Sequence, residues 1–186
     1  MIKLHAVLLD GNMYMSPQVP QIASVKNQWL YQQVDVEFPT QESLKGKDVY
    51  QQWVSQRDYV NLNQYLAEHS TSASFDAQDI YLVDFHRLTV MFALQQAQRW
   101  QEKQDQELII EFLTQIIYSE PCQLFIGFQN GEPVATAIVT LHEEQFLISD
   151  LYTQEHDMQV AFINGLLNKT ELSLTSVNEQ NRYLEL

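Results

Sequence analysis

The side chains best suited to move a proton, attack a substrate or hold a metal are a handful of carboxylates, histidines and one thiol. Their spacing limits what they can do together. Glu143, Glu144 and Asp150 lie close in sequence, and a carboxylate works as a general base near neutral pH when burial raises its pKa. Glu143 and Glu144 fall in an expected turn, where water keeps them solvated. Asp150 is better placed, either as such a base or as a strand-end hydrogen-bonding residue. His142, His156 and Asp157 are of metal-ligand type, but their spacing matches no ligand signature and reads as surface chemistry. Cys122 follows Pro121 with no base beside it in sequence, the pattern of a buried structural thiol. Asp84 and His86, two apart on an expected helix, face different directions and make no dyad. Lys45-Gly46-Lys47 lacks the Gly-x-x-x-x-Gly-Lys-Ser/Thr frame of a phosphate cradle and reads as a loop. Trp29, Tyr31, Tyr50, Trp53, Tyr59, Tyr65 and Tyr81 crowd the first half, where they can line a ligand cleft, form a partner surface or pack a core.

The elements that must position these groups follow from periodicity and turn chemistry. Residues 2–9, closed by Asp10-Gly11-Asn12, predict a strand and a turn, and residues 22–33 a short helix. Residues 34–38 alternate apolar and polar up to Pro39, as a half-buried strand does. One or two helices are expected between 49 and 68. The polar run 69–74 is the best internal boundary, dividing an N-terminal part, 1–74, packed on the core, from a core of 75–186. Asp76 caps an expected long helix with its stripe on Ile80, Val83, Leu88, Met91 and Leu94, running to about Trp100. A second helix spans residues 108–117 and ends before Pro121.

The last third changes character. Residues 123–128 and 133–141 predict two strands around Asn130-Gly131, the strongest hairpin signal in the chain. A third strand is expected over 146–152, a helix over 157–168, a further strand over 172–177 and a short tail from 178. Phe125-Ile126-Gly127-Phe128, followed by Asn130-Gly131-Glu132-Pro133-Val134-Ala135-Thr136-Ala137, resembles the central hairpin of the GNAT acetyltransferase superfamily. Asp150, Thr153 and Leu166-Leu167 fall at that family's spacings between its third strand and the end of the next helix. The resemblance covers roughly residues 105–177. It implies a mixed α/β (α+β) fold, a mostly antiparallel sheet with helices on both sides and extra N-terminal structure.

It also implies transfer of an acyl group from acetyl-CoA to an amine, with the cofactor held by Leu151, Tyr152, Thr153, Met158, Gln159, Val160, Ala161, Phe162 and Ile163. The family's strand-to-helix loop reads Gln/Arg-x-x-Gly-x-Gly/Ala, because glycines let backbone amides approach the pyrophosphate at a helix N-terminus. The matching residues here are Met158, Ala161 and Ile163, with no glycine among them. Asp157 stands where the helix begins and can cap it. In the family a Tyr follows the next strand seven residues past an Asn; from Asn178 that position is Glu185, while Tyr183 is off register in an expected frayed tail.

Composition sets the outer bounds. The 186 residues are 45% hydrophobic, enough for one substantial core. Ten Lys and Arg against 24 Asp and Glu give a net charge of -14, which argues against nucleic acid and suits a cationic amine acceptor. From Gln104 to Asn168 there is no Lys or Arg at all. A lone cysteine excludes an internal disulfide, and the interrupted N-terminal apolar run is too short for a signal peptide, so the expected setting is cytoplasmic, with no metal and no membrane span. Two functions stay open: an acyl-CoA-dependent N-acetyltransferase with an altered cofactor loop, and a non-catalytic module on the same fold that binds a small ligand or a protein partner.

Overall fold

Alternating apolar residues between 122 and 153 build the centre of the molecule. In the computed structural model, which describes residues 19–170 and 176–186, β3 (Cys122–Gln129), β4 (Glu132–His142) and β5 (Gln145–Thr153) form one antiparallel meander. Asn130 and Gly131 turn the first hairpin with φ of 51° and 82°, the left-handed pair that a two-residue turn between twisted strands requires. Three short strands complete an open sheet: β1 (Tyr59–Asn61), β2 (Ile80–Leu82) and β6 (Arg182–Glu185), in the order β1-β6-β5-β4-β3-β2. Every neighbouring pair is antiparallel except β5 with β6.

Because side chains on a strand alternate, the sheet carries two cores. Leu124, Ile126 and Ile138 face one side, under α1 (Gln21–Gln32), α2 (Gln41–Val54), α4 (His86–Ala97) and α5 (Lys103–Leu113). Phe125, Ala137, Val139, Phe146 and Ile148 face the other, under α3 (Leu62–Glu68) and α6 (Gln159–Lys169). The fold is α+β, a mostly antiparallel sheet flanked by helices. Strands from both sides of residues 69–74 belong to this one sheet.

Several local expectations fail for identifiable reasons. The long helix over 80–100 is instead β2 followed by α4, because Ile80 and Leu82 pair with Gly127 and Phe125 and extend the sheet. Asp76 caps only a short 3-10 helix, accepting from the Gln78 N–H. Asp84 therefore precedes a helix rather than sitting on one. Residues 34–38 form turns and bends, not a strand, and among the described residues no strand pairs with them. Lys45-Gly46-Lys47 lies inside α2, where Thr40 caps the helix through the Ser43 N–H. Gly46 is required there by packing: a Cβ would overlap the Leu108 carbonyl and come within 2.8 Å of Phe112 Cβ, so α2 and α5 touch backbone to backbone. The tail is not frayed, as β6 is held between β1 and β5. The strand expected over 2–9 lies outside the described residues, as does that over 172–177 apart from Ser176 and Val177, which are not in a strand.

Candidate functional site

Helix α1 buries the stripe Ile22, Ala23, Lys26, Trp29 and Leu30, so a lysine occupies the centre of an apolar face. Lys26 is 0% exposed, and an ammonium so placed must find its partners inside the protein. Its three N–H groups do so. Nζ donates to Tyr50 OH at 2.8 Å, Asp150 Oδ2 at 3.0 Å and Glu185 Oε2 at 3.1 Å. Tyr50 OH in turn donates to Asp150 Oδ1 at 2.7 Å, and Tyr59 OH to Glu185 Oε2 at 3.1 Å. The Asp150 N–H donates to Glu185 Oε1 at 3.2 Å.

Asp150 is at the centre because β5 is irregular there. Between the pairs Thr136–Tyr152 and Ile138–Ser149 the register slips, and Asp150 takes a φ of 52°, rare for a residue with a Cβ. This bulge turns the Asp150 carbonyl toward α4, where it accepts from Gln96 Nε2 at 2.6 Å and Arg99 Nη2 at 3.1 Å. Gln96 is itself fixed, donating to Thr136 Oγ1 and accepting from Arg99 through Oε1. The Arg99 guanidinium lies 4.5 Å from the Trp53 ring centre, with the Trp100 and Tyr152 rings beyond it at 5.9 and 5.7 Å.

The electrostatics hold Lys26 and Asp150 in their charged forms. Burial pulls the Lys26 ammonium down, but the charges of Asp150 and Glu185 outweigh it, so its pKa lies above the usual 10.5. Burial likewise pushes Asp150 up, and Lys26, Arg99 and the hydrogen bonds from Tyr50 and Lys26 outweigh that, leaving its carboxyl below the usual 3.8. Burial first, then the two carboxylates, raises the Tyr50 phenol well above its usual 10.0. None of Lys26, Asp150 and Tyr50 is poised to exchange a proton near neutral pH. The arrangement can tie α1, α2, β5 and β6 together.

The residues expected to hold acetyl-CoA lie at the end of β5, in the 3-10 turn after it and in the first half of α6. Leu151, Tyr152 and Thr153 are half-buried on β5, and Met158, Gln159 and Val160 half-buried where α6 begins. Ala161, Phe162 and Ile163 are fully packed in the core under α6, where Phe162 lies edge-on to Phe75. A cavity of only about 40 Å³, lined by Phe75, Gln154, Glu155 and Met158 among others, opens beside that helix start. Asp157 does not cap α6: it sits within a 3-10 turn, His156–Met158, that runs directly into the helix, and no side chain caps it.

Other sequence candidates fare differently. Cys122 is buried, and burial pushes its thiol up to about 12 despite the Thr140 hydroxyl beside it, as a structural thiol requires. Among the described residues no group of three or more His, Cys, Asp or Glu is gathered to hold a metal, so His142, His156 and Asp157 form no such cluster. Nor is any described helix long and apolar enough to cross a membrane. Of the crowded aromatics, Trp29 and Tyr50 are core, Tyr65 stacks on His69, and Tyr81 is 49% exposed.

Sequence reasoning missed Lys26 entirely. The signal was present, a lysine at the middle of the 22, 23, 26, 29, 30 stripe. Glu185 offered no such signal, since its partner lies 159 residues away. Neither a scan against protein-family models nor a search of curated proteins finds a match for the chain.

Proposed function

We propose that the chain is a non-catalytic ligand-binding or protein-interaction module on a GNAT-like fold. The observation that carries this reading is the Lys26–Asp150–Glu185 tie across β5 and β6. These strands pair only through Phe146–Arg182, Leu147–Tyr183 and Ile148–Leu184, and just past that point the buried ammonium bridges a carboxylate from each. An acyl thioester entering between the strands would have to separate three charges that are 0%, 2% and 4% exposed. Breaking such a pair costs about 3–5 kcal/mol, which is comparable to all the binding energy of a millimolar ligand. The Asp150 N–H at the bulge, a natural donor to a ligand carbonyl, already serves Glu185.

One observation favours the transferase reading instead, in which acetyl-CoA is the cofactor and a small-molecule amine the acceptor. The helix α6, lying in sequence between the parallel strands β5 and β6, starts without a side-chain cap, although the Gln159 N–H already donates to the His156 carbonyl. Calorimetry with acetyl-CoA at moderate salt separates the two. The module reading expects a dissociation constant in the millimolar range or no heat, about 4 kcal/mol of binding free energy or less. A micromolar constant would overturn it in favour of the acyltransferase.

A further inference from the structure

One cavity adjoins none of the residues in the buried ionic network. It measures about 580 Å³, within the range of small-molecule sites, and lies among β2, the β3–β4 turn and the start of α4. Ile80 is buried and Leu82 packs into the core under α6, so the strand's alternation sends Tyr81 to the opposite face. There its ring meets that of Phe128 at 5.6 Å between centres and 86° between planes. Phe85, at the residue before α4, supplies a third ring to the lining, and Leu88 a fourth apolar surface.

Tyr81 and Phe85 remain 49% and 54% exposed, although either could bury far more area in a core. Tyr81 and Phe128 touch edge to face, and with Phe85 they make three aromatic rings in the cavity lining. The electron-rich faces of such rings attract a cation. The polar lining points the same way: among the described residues it includes Asp79 and the Asn130-Gly131 turn, and no Lys or Arg. The chain as a whole carries a net charge of -14.

We propose that this cleft binds an organic ammonium ion with apolar substituents, the aromatic rings contacting the alkylated nitrogen and Asp79 supplying the counter-charge. Within the module reading above, this names the ligand class, but the cleft shares no residue with the β5–β6 tie and does not depend on it.

The test is an NMR titration of the intact chain with choline chloride and benzyltrimethylammonium chloride, following the Tyr81 and Gly131 amides. Each probe is compared with the uncharged analogue in which carbon replaces nitrogen, where solubility permits. Both ammonium ions are expected to shift these two resonances, and the uncharged analogue of choline to bind about tenfold more weakly. Tyr81→Leu is expected to weaken binding about tenfold, and Asp79→Asn to weaken it about threefold while flattening its salt dependence. Equal affinity for the charged and uncharged forms would overturn the proposal, as would shifts confined to other residues or none at saturating probe. The charged-against-uncharged comparison uses the unaltered protein, so an unfolded variant leaves it decisive. Acetyl-CoA binding would instead be read at the Met158 and Gln159 amides, which keeps failure of this site distinct from failure of the module reading.

Discussion

Replacing Lys26 by methionine removes the ammonium but keeps most of the side-chain volume. Three hydrogen bonds of 2.8–3.1 Å are lost, and Asp150 and Glu185 are left facing each other with 2% and 4% exposure. Two carboxylates so placed cannot both stay charged, so one must take up a proton at neutral pH. The cost of leaving a buried charge unpaired is about 3–5 kcal/mol, a large part of the roughly 5–15 kcal/mol that holds a domain folded. At about 2–4 °C per kcal/mol for a chain of this size, Tm should fall by about 6–20 °C.

The pH dependence carries the sign. Asp150 has its pKa lowered on folding, so its contribution is present above its unfolded value and is lost as pH falls through the folded one. Lys26 and Tyr50 have theirs raised, so both contributions are present below the unfolded values and are lost as pH rises through the folded ones. The unaltered protein should therefore keep these contributions across a plateau from about pH 5 to 9. Lys26→Met should break the acid side of that plateau. Its retained carboxylic acid has a raised pKa, so the deficit relative to the parent should shrink from pH 7 to pH 5. Urea denaturation at the two pH values measures this directly. A deficit under about 1 kcal/mol at pH 7, or one equal at both pH values, would refute the reasoning. Adding Asp150→Asn and Glu185→Gln to Lys26→Met should recover part of the loss, because neither carboxylate is then left buried without the ammonium.

Gly46→Ala should destabilise by about 1–3 kcal/mol, even though alanine in a helix interior gains about 1 kcal/mol over glycine. The new Cβ would overlap Leu108 O and crowd Phe112, and a chemical-denaturation curve showing a net gain would disprove close α2–α5 contact. Cys122 should resist iodoacetamide at pH 8 in the folded protein and react only as the chain unfolds, because its thiol is 0% exposed and pushed to about 12. Modification at the rate of a free thiol, followed by mass spectrometry, would contradict that burial.

What could be read from the sequence was local. Asn130-Gly131 demands a left-handed turn wherever it stands, and the alternation on either side of it fixes which residues face which core, so β3, β4, β5 and the helix after them were legible. Cys122 followed from residue type alone. The short strands were not legible, because three or four residues carry too little pattern and exist only when a neighbouring edge satisfies their backbone: β2 needs Phe125 and Gly127, and β6 needs both Tyr59–Asn61 and Phe146–Ile148. Gly46 looked like a loop residue because the contact that requires glycine comes from Leu108, on another helix. The ionic tie was decided furthest from local information. Lys26, Asp150 and Glu185 lie 124 and 159 residues apart along the chain. A charge in a low-dielectric interior is tolerated only beside its counter-charge, and only the folded arrangement of α1, β5 and β6 brings those charges within 3.1 Å.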